Sequence, residues 1–173
     1  MTEKPADNFT EGINIDYKHF IAHNITPQYE FGFGLSYTTF SYSNFSLKRT
    51  KANTAIEAPI NPEDGDHIPE GGLLSLWDII LNVSHNVTNT GHVGSAEVSQ
   101  LYIGIPGGPM KQLRGFDKKF LRPGESKNFS FAVTRRDLST WTSDRGWVLP
   151  RGCYDVYVGR SVLDVQLTGA FAI

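Results

Sequence analysis

The residues of this 173-residue chain that could do chemistry are scattered and do not fall into catalytic spacings. A nucleophilic serine on a strand-to-helix elbow needs G-x-S-x-G, and Gly32-Phe33-Gly34-Leu35-Ser36 is out of register for it. His19 and His23 have the i,i+4 spacing of a metal-binding helix. Phe20 and Ile21 give them a strand-like setting without an acidic neighbour motif, so no metal is expected there. His85 lies on the apolar side of an alternating run and reads as a core histidine. In Gly104-Ile105-Pro106-Gly107-Gly108-Pro109 a proline replaces a backbone donor that a phosphate loop would require. Cys153 is the single cysteine, so it has no internal disulfide; its flanks read as the start of a strand, which makes it a small core residue.

Two carboxylates about 5 Å apart would suffice for a retaining glycosidase, and linear spacing does not locate such a pair. Asp16, Glu30, Glu97, Asp117 and Asp155 read as strand-face or turn acids, and Glu63, Asp64 and Asp66 as a solvated loop. No catalytic residue, metal ligand or cofactor-binding residue is therefore assigned, and no cofactor is expected. Trp77, Trp141 and Trp147 could stack on sugar rings, but in a β-protein each reads first as a core or corner residue.

The N-x-S/T acceptor pattern stands out more. It occurs at Asn8, Asn24, Asn44, Asn82, Asn86 and Asn128, never with proline in the middle. Serine and threonine make up about 15% of the chain, so its ten asparagines should give only one or two such matches by chance. The excess points to passage through the secretory pathway. Against it, the first ten residues, MTEKPADNFT, carry an acid and a proline where an export signal needs an apolar stretch. Both observations fit if the residues belong to the later part of a longer secreted protein.

The elements that would hold these residues read as strands. Thr39 to Leu47 alternates Phe40, Tyr42 and, after a short irregularity, Phe45 and Leu47; Leu81, Val83, His85 and Val87 alternate in the stretch Leu76 to Thr88. Ala96 to Ile105 is apolar on both faces, which predicts either a strand covered on both sides or a bulge. Gln112 to Leu121, Asn128 to Val133, Gly146 to Leu149, Tyr154 to Gly159 and Val165 to Leu167 follow, and Asp137 to Trp141 reads as a corner anchored by an aromatic. About seven strands, separated by turn signals and without a long helical period, predict an all-β, immunoglobulin-like antiparallel sandwich. Residues 48–72, with three prolines and several acids, predict a long surface loop. Residues 1–34 predict an extended arm and linker with one strand from Gly12 to Phe20, so that residues 1–28 are mobile or add to a sheet edge.

Between arm and sandwich lies YEFGFGLSYTTF, Tyr29 to Phe40, with five aromatics and two glycines in twelve residues. It reads as a hinge against another surface, with Tyr29, Phe31, Phe33 and Tyr37 as interface candidates. The formal net charge of −2 and the lack of a basic cluster exclude a nucleic-acid partner on electrostatic grounds, and no apolar run approaches a membrane span.

This hinge, with IDYKHF (Ile15 to Phe20) and NITP (Asn24 to Pro27) before it, resembles the end of the α/β-sandwich domain of glycoside hydrolase family 3, above all the fungal secreted β-glucosidases. VTNTG (Val87 to Gly91), AEVSQLYIGIP (Ala96 to Pro106), QLRGFDKKFLRPGES (Gln112 to Ser126), TRRDLSTW (Thr134 to Trp141) and GWVLPRGCYDVYVGRS (Gly146 to Ser161) resemble, in order, their C-terminal fibronectin type III-like domain. The resemblance implies a division at residue 34 and a fibronectin type III-like sandwich over 35–173. It implies, as partners, a catalytic barrel bearing an aspartate nucleophile and an α/β domain bearing a glutamate acid/base. No Ser-Asp-Trp nucleophile motif occurs in this chain, so the resemblance implies an accessory, non-catalytic role in an extracellular enzyme that releases glucose from β-glucosides such as cellobiose. The competing expectation is an independent module binding a carbohydrate or lignin surface, which requires a row of exposed, coplanar aromatics.

Overall fold

A computed structural model describes residue 8 and residues 10–50, 73–143 and 145–173. Seven strands build two facing antiparallel sheets. The first is three-stranded, in the order β1 (Phe40–Arg49), β2 (Ile79–Asn89), β5 (Ser126–Thr134). The second is four-stranded, in the order β4 (Gln112–Leu121), β3 (Ser95–Gly104), β8 (Cys153–Gly159), β9 (Val165–Ala172). A separate hairpin pairs β6 (Thr140–Thr142) with β7 (Gly146–Val148). The expected sandwich is present; β1–β2, β3–β4 and β8–β9 pair as sequence neighbours, while β2–β5 and β3–β8 pair across crossovers.

The core is the sum of the inward halves of these strands. Leu81, Val83 and Val133 of the first sheet meet Leu101, Ile103, Tyr154, Val156 and Val158 of the second, all buried. Phe40, Val87, Leu121 and Phe129 close one end. The irregularity within β1 is a register shift between Ser43 and Ser46, where Asn44 takes φ +54°. The extra residue returns Phe45 and Leu47 to the core side after Tyr42.

Asn89, which the sequence presents as a turn residue, is a buried hub. Its side chain accepts from Thr38 Oγ1 at 2.7 Å and from the Gly91 amide at 3.1 Å. It donates to the carbonyls of Val93 at 2.8 Å and Leu121 at 3.0 Å. One side chain thus ties the hinge to the β2–β3 turn and the end of β4.

Several local expectations are corrected. Gly12 to Phe20 holds no strand: Tyr17–Ala22 is a short helix, α1, and Ile13 and Ile15 are exposed. Asp16 at φ +57° interrupts the extended alternation, and the carbonyl of Asp16 accepts from the amides of His19 and Phe20. The arm therefore joins no sheet edge among the described residues. Asp137 to Trp141 is not a corner pinned by Trp141. Arg135–Leu138 is a single helical turn, α2, opened by a capping box between Thr134 and Asp137 and pinned by the buried Leu138, whereas Trp141 is 64% exposed. Cys153 is exposed, because Tyr154, Val156 and Val158 take the inward positions of β8 and leave it the outward one. The predicted loop at 48–72 starts later than expected, since β1 runs through Arg49; its residues 51–72 lie outside the described residues.

Candidate functional site: a docking face

The outward face of the four-stranded sheet is built on β3. Glu97, Ser99, Leu101 and Ile103 point into the sandwich, so Gln100 and Tyr102 point away from it, yet both are buried. The arm covers them. Tyr17 of α1 stands edge-on to Tyr102, with ring centroids 6.2 Å apart, and stacks on Phe31 at 4.3 Å. Its hydroxyl accepts from the amide of Leu113 at 3.0 Å. Gln100 Nε2 donates to the carbonyl of Gly32 at 2.9 Å, and the amide of Val162 donates to the carbonyl of Phe31 at 3.0 Å. Ser161 Oγ donates to the Glu30 carboxylate at 2.7 Å. A strand that is apolar on both faces thus finds its second cover within the same chain.

Gly32 allows this approach. It has φ +81°, and a Cβ there would lie 2.1 Å from Gln100 Oε1. A side chain there would have to displace the Gln100 amide and hold a positive φ, so glycine favours the crossing.

The latch fixes the backbone and leaves the hinge side chains outward. Tyr37 is 98% and Leu35 92% exposed; Tyr29 and Phe33, tilted against each other at 5.3 Å, are also exposed. Phe31 is partly covered by Tyr17. Beside them, Phe116 (68% exposed) and Phe120 project from β4. A groove of about 660 Å³ runs between the hinge and this sheet, passing Phe33, Leu35, Gln100, Phe116, Lys118 and Arg160. A second, of about 540 Å³, separates α1 and Tyr29 from Met110, Lys111, Val162 and Leu163. Of the four aromatics expected at an interface, Phe31 and Phe33 line one groove with Phe116 of β4, Tyr29 lines the second groove, and Tyr37 is exposed.

The tryptophans are less buried than expected. Trp77 is 52% exposed, in the 3-10 turn Leu74–Trp77, and Trp141 and Trp147 lie on the β6–β7 hairpin. The guanidinium of Arg136 sits over both Trp77 and Trp147, at 5.2 and 5.3 Å. Trp141 meets Trp147 at 75°, so these two rings do not form a coplanar row. Arg135 is buried and reaches Asp78 at 3.6 Å and the Ser75 carbonyl at 3.0 Å, which ties α2 to the same turn.

Most of the shifted titratable groups are held by packing and hydrogen bonds. Glu97 is buried and accepts from Tyr42 at 2.7 Å; burial, the largest influence, pushes its carboxyl above the usual range. Burial likewise raises the hydroxyls of Tyr42, Tyr102 and Tyr154. His85 is fully buried, stacked between Tyr42 and Phe129, with Nε2 2.8 Å from Ser99 Oγ. Burial, helped by the charge of Lys119, lowers its pKa to about 4. Asp117 pairs with Lys119 at 3.1 Å. His19 and His23 do share one helical stretch, against the strand reading, with rings 4.2 Å apart and His23 Nδ1 2.9 Å from the His19 carbonyl. No group of three or more metal-ligating side chains gathers among the described residues.

Residues 97–162 match the model of the fibronectin type III-like domain. Over 170 residues the chain is 52% identical to the probable β-glucosidase M of Aspergillus niger, covering 98% of this chain and 22% of that relative. In structure it is similar to the β-D-glucoside glucohydrolase of Trichoderma reesei, with TM-score 0.85, 43% identity, and coverage of 99% of this chain and 24% of that one. It is also similar to a glycoside hydrolase family 3 β-glucosidase of Neurospora crassa, with TM-score 0.80, 29% identity, and coverage of 94% and 28%. The chain thus spans about a fifth to a quarter of the length of these proteins. Residues 97–162 are thus similar to a fibronectin type III-like domain, and nearly the whole chain is similar to part of fungal β-glucosidases, one of them a glycoside hydrolase family 3 enzyme.

Proposed function

We propose that this region is a non-catalytic accessory domain of a secreted family 3 β-glucosidase and that it stabilises the catalytic domains by docking on them. The docking surface is the arm and hinge together with the outward face of the four-stranded sheet. One observation carries the reading: the hinge backbone is latched by Gln100 and Val162 and Tyr17 stacks on Phe31, yet Tyr29, Phe33, Leu35 and Tyr37 stay exposed, with Phe33 and Leu35 lining one groove with Phe116. Ordering exposed aromatics costs entropy and gains nothing in water; it is rewarded when a partner covers them, at roughly 25 cal/mol per Å² of apolar area. The relatives' greater length supports further domains as partners; on the sequence resemblance these are a barrel and an α/β domain, and the substrate of the whole enzyme is a β-glucoside.

The test has two arms. The chain alone is expected to show no turnover of an aryl β-glucoside; turnover abolished by a single carboxylate substitution defeats the non-catalytic reading. In an intact family 3 enzyme carrying these residues, Tyr37→Ser is expected to lower the melting temperature with KM unchanged. Covering one tyrosine is worth roughly 1–3 kcal/mol, so an unchanged melting temperature defeats the docking reading. Independent binding to a polysaccharide or lignin surface draws little support from tryptophans of which two carry Arg136 on one face and the third, Trp141, stands at 75° to Trp147, and a cellulose pull-down of the chain checks it.

A further inference from the structure

Four of the six acceptor asparagines, Asn44, Asn82, Asn86 and Asn128, fall on the three-stranded sheet, and none falls on the four-stranded one. Their middle residues, Phe45, Val83, Val87 and Phe129, are core residues. In a strand, i and i+2 share a face, so on β2 and β5 each asparagine and its partner hydroxyl point away from the core together. On β1 the bulge at Asn44 has the same outcome: Asn44 is exposed, and Ser46 takes the outward position opposite Ser84. Asn86 lies opposite both Ser43 and Asn128, and Asn128 Nδ2 donates to Asn86 Oδ1 and to the His85 carbonyl, each at 3.1 Å.

We propose that the outer face of the three-stranded sheet is N-glycosylated, at Asn44 and on the Asn86–Asn128 rung, and faces solvent in the assembled enzyme. The donor is an oligosaccharide carried on a lipid diphosphate. The asparagine Nδ2 forms a bond to the anomeric carbon as the bond from that carbon to the diphosphate oxygen breaks. The diphosphate leaves with the bonding pair, and the amide nitrogen loses one proton. The remaining N–H at Asn128 is enough to keep one of its two hydrogen bonds. The fold tolerates the sugar because the acceptor asparagines occupy outward positions of this face, where Asn44 and Asn128 are exposed and Asn86 is half-buried. Ser41, Ser43, Ser84, Ser130 and Ala132 around them offer no large apolar area that a neighbouring domain would cover. The opposite sheet carries Phe116, Phe120 and the arm instead.

The experiment is to express the full chain behind a secretion leader in a fungal host, release glycans with peptide N-glycosidase in heavy-oxygen water, and read each acceptor peptide by mass spectrometry. The label is expected at Asn44 and at Asn86 or Asn128. It is expected to vanish from Asn44 in Ser46→Ala, from Asn86 in Thr88→Ala and from Asn128 in Ser130→Ala, wherever that site carried it. If the isolated chain is not secreted, the same peptides are read from the intact enzyme. Label confined to Asn8 or Asn24, or no label on secreted protein, overturns the proposal. The vector supplies the leader, so either result leaves the docking reading to its own test.

Discussion

His85 couples a single residue to acid stability. Tyr42 of β1 and Phe129 of β5 stack on its ring, Ser99 of β3 meets Nε2, and Lys119 of β4 adds a positive charge that disfavours protonation. In the unfolded chain the imidazole takes up its proton near pH 6.5, and in the folded chain near pH 4. Between these values the unfolded state holds more protons. The stabilisation is therefore complete above pH 6.5 and is lost as the pH falls through 6.5 toward 4. The displacement corresponds to roughly 3 kcal/mol. Urea unfolding at pH 7, 5.5 and 4 should show this slope, and His85→Leu should flatten it while costing some stability at pH 7. An unchanged slope in the variant would mean that another group titrates.

At the scale of elements, the arm and the β3–β4–β8 face form a unit held by few contacts. Tyr17→Phe removes the acceptor for the Leu113 amide but keeps the ring stack on Phe31. Hydrogen exchange at Leu113 should speed up several-fold, while Val162, bonded to the Phe31 carbonyl, should change little. Gly32→Ala places a methyl group against Gln100 and forces a positive φ on alanine, so both amides should lose protection together. Equal protection in the alanine variant would show that the arm does not depend on this crossing.

Considered whole, the molecule has two unlike outsides: small polar residues with acceptor asparagines on one sheet, aromatics on the other. Uncovered aromatics invite self-association, so the chain alone should bind a hydrophobic dye and sediment with concentration-dependent mass. The double variant Tyr37→Ser, Phe116→Ser should weaken both, because each residue is exposed and leaves the core unchanged. Persistence of both signals would locate the sticky surface elsewhere.

The sequence by itself determined the sandwich, since alternation through Leu81, Val83, His85 and Val87 or Phe129, Phe131 and Val133 leaves one face for the core. It also marked β3 as either covered on both sides or bulged, and the acceptor asparagines by their pattern; the strand is covered on both sides and carries a register shift against β4 at Leu101 and Tyr102. Only the tertiary structure decided what covers β3, that Asn89 is a hub, and that Cys153, Trp77 and Trp141 lie outward. Local periodicity fixes which residues share a face, but which faces meet depends on contacts such as Gln100 to Gly32, 68 residues apart. The misread helix at Tyr17–Ala22 has the same cause: six residues carry too weak a period of their own, and packing of Tyr17 against Phe31 and Tyr102 selects the conformation.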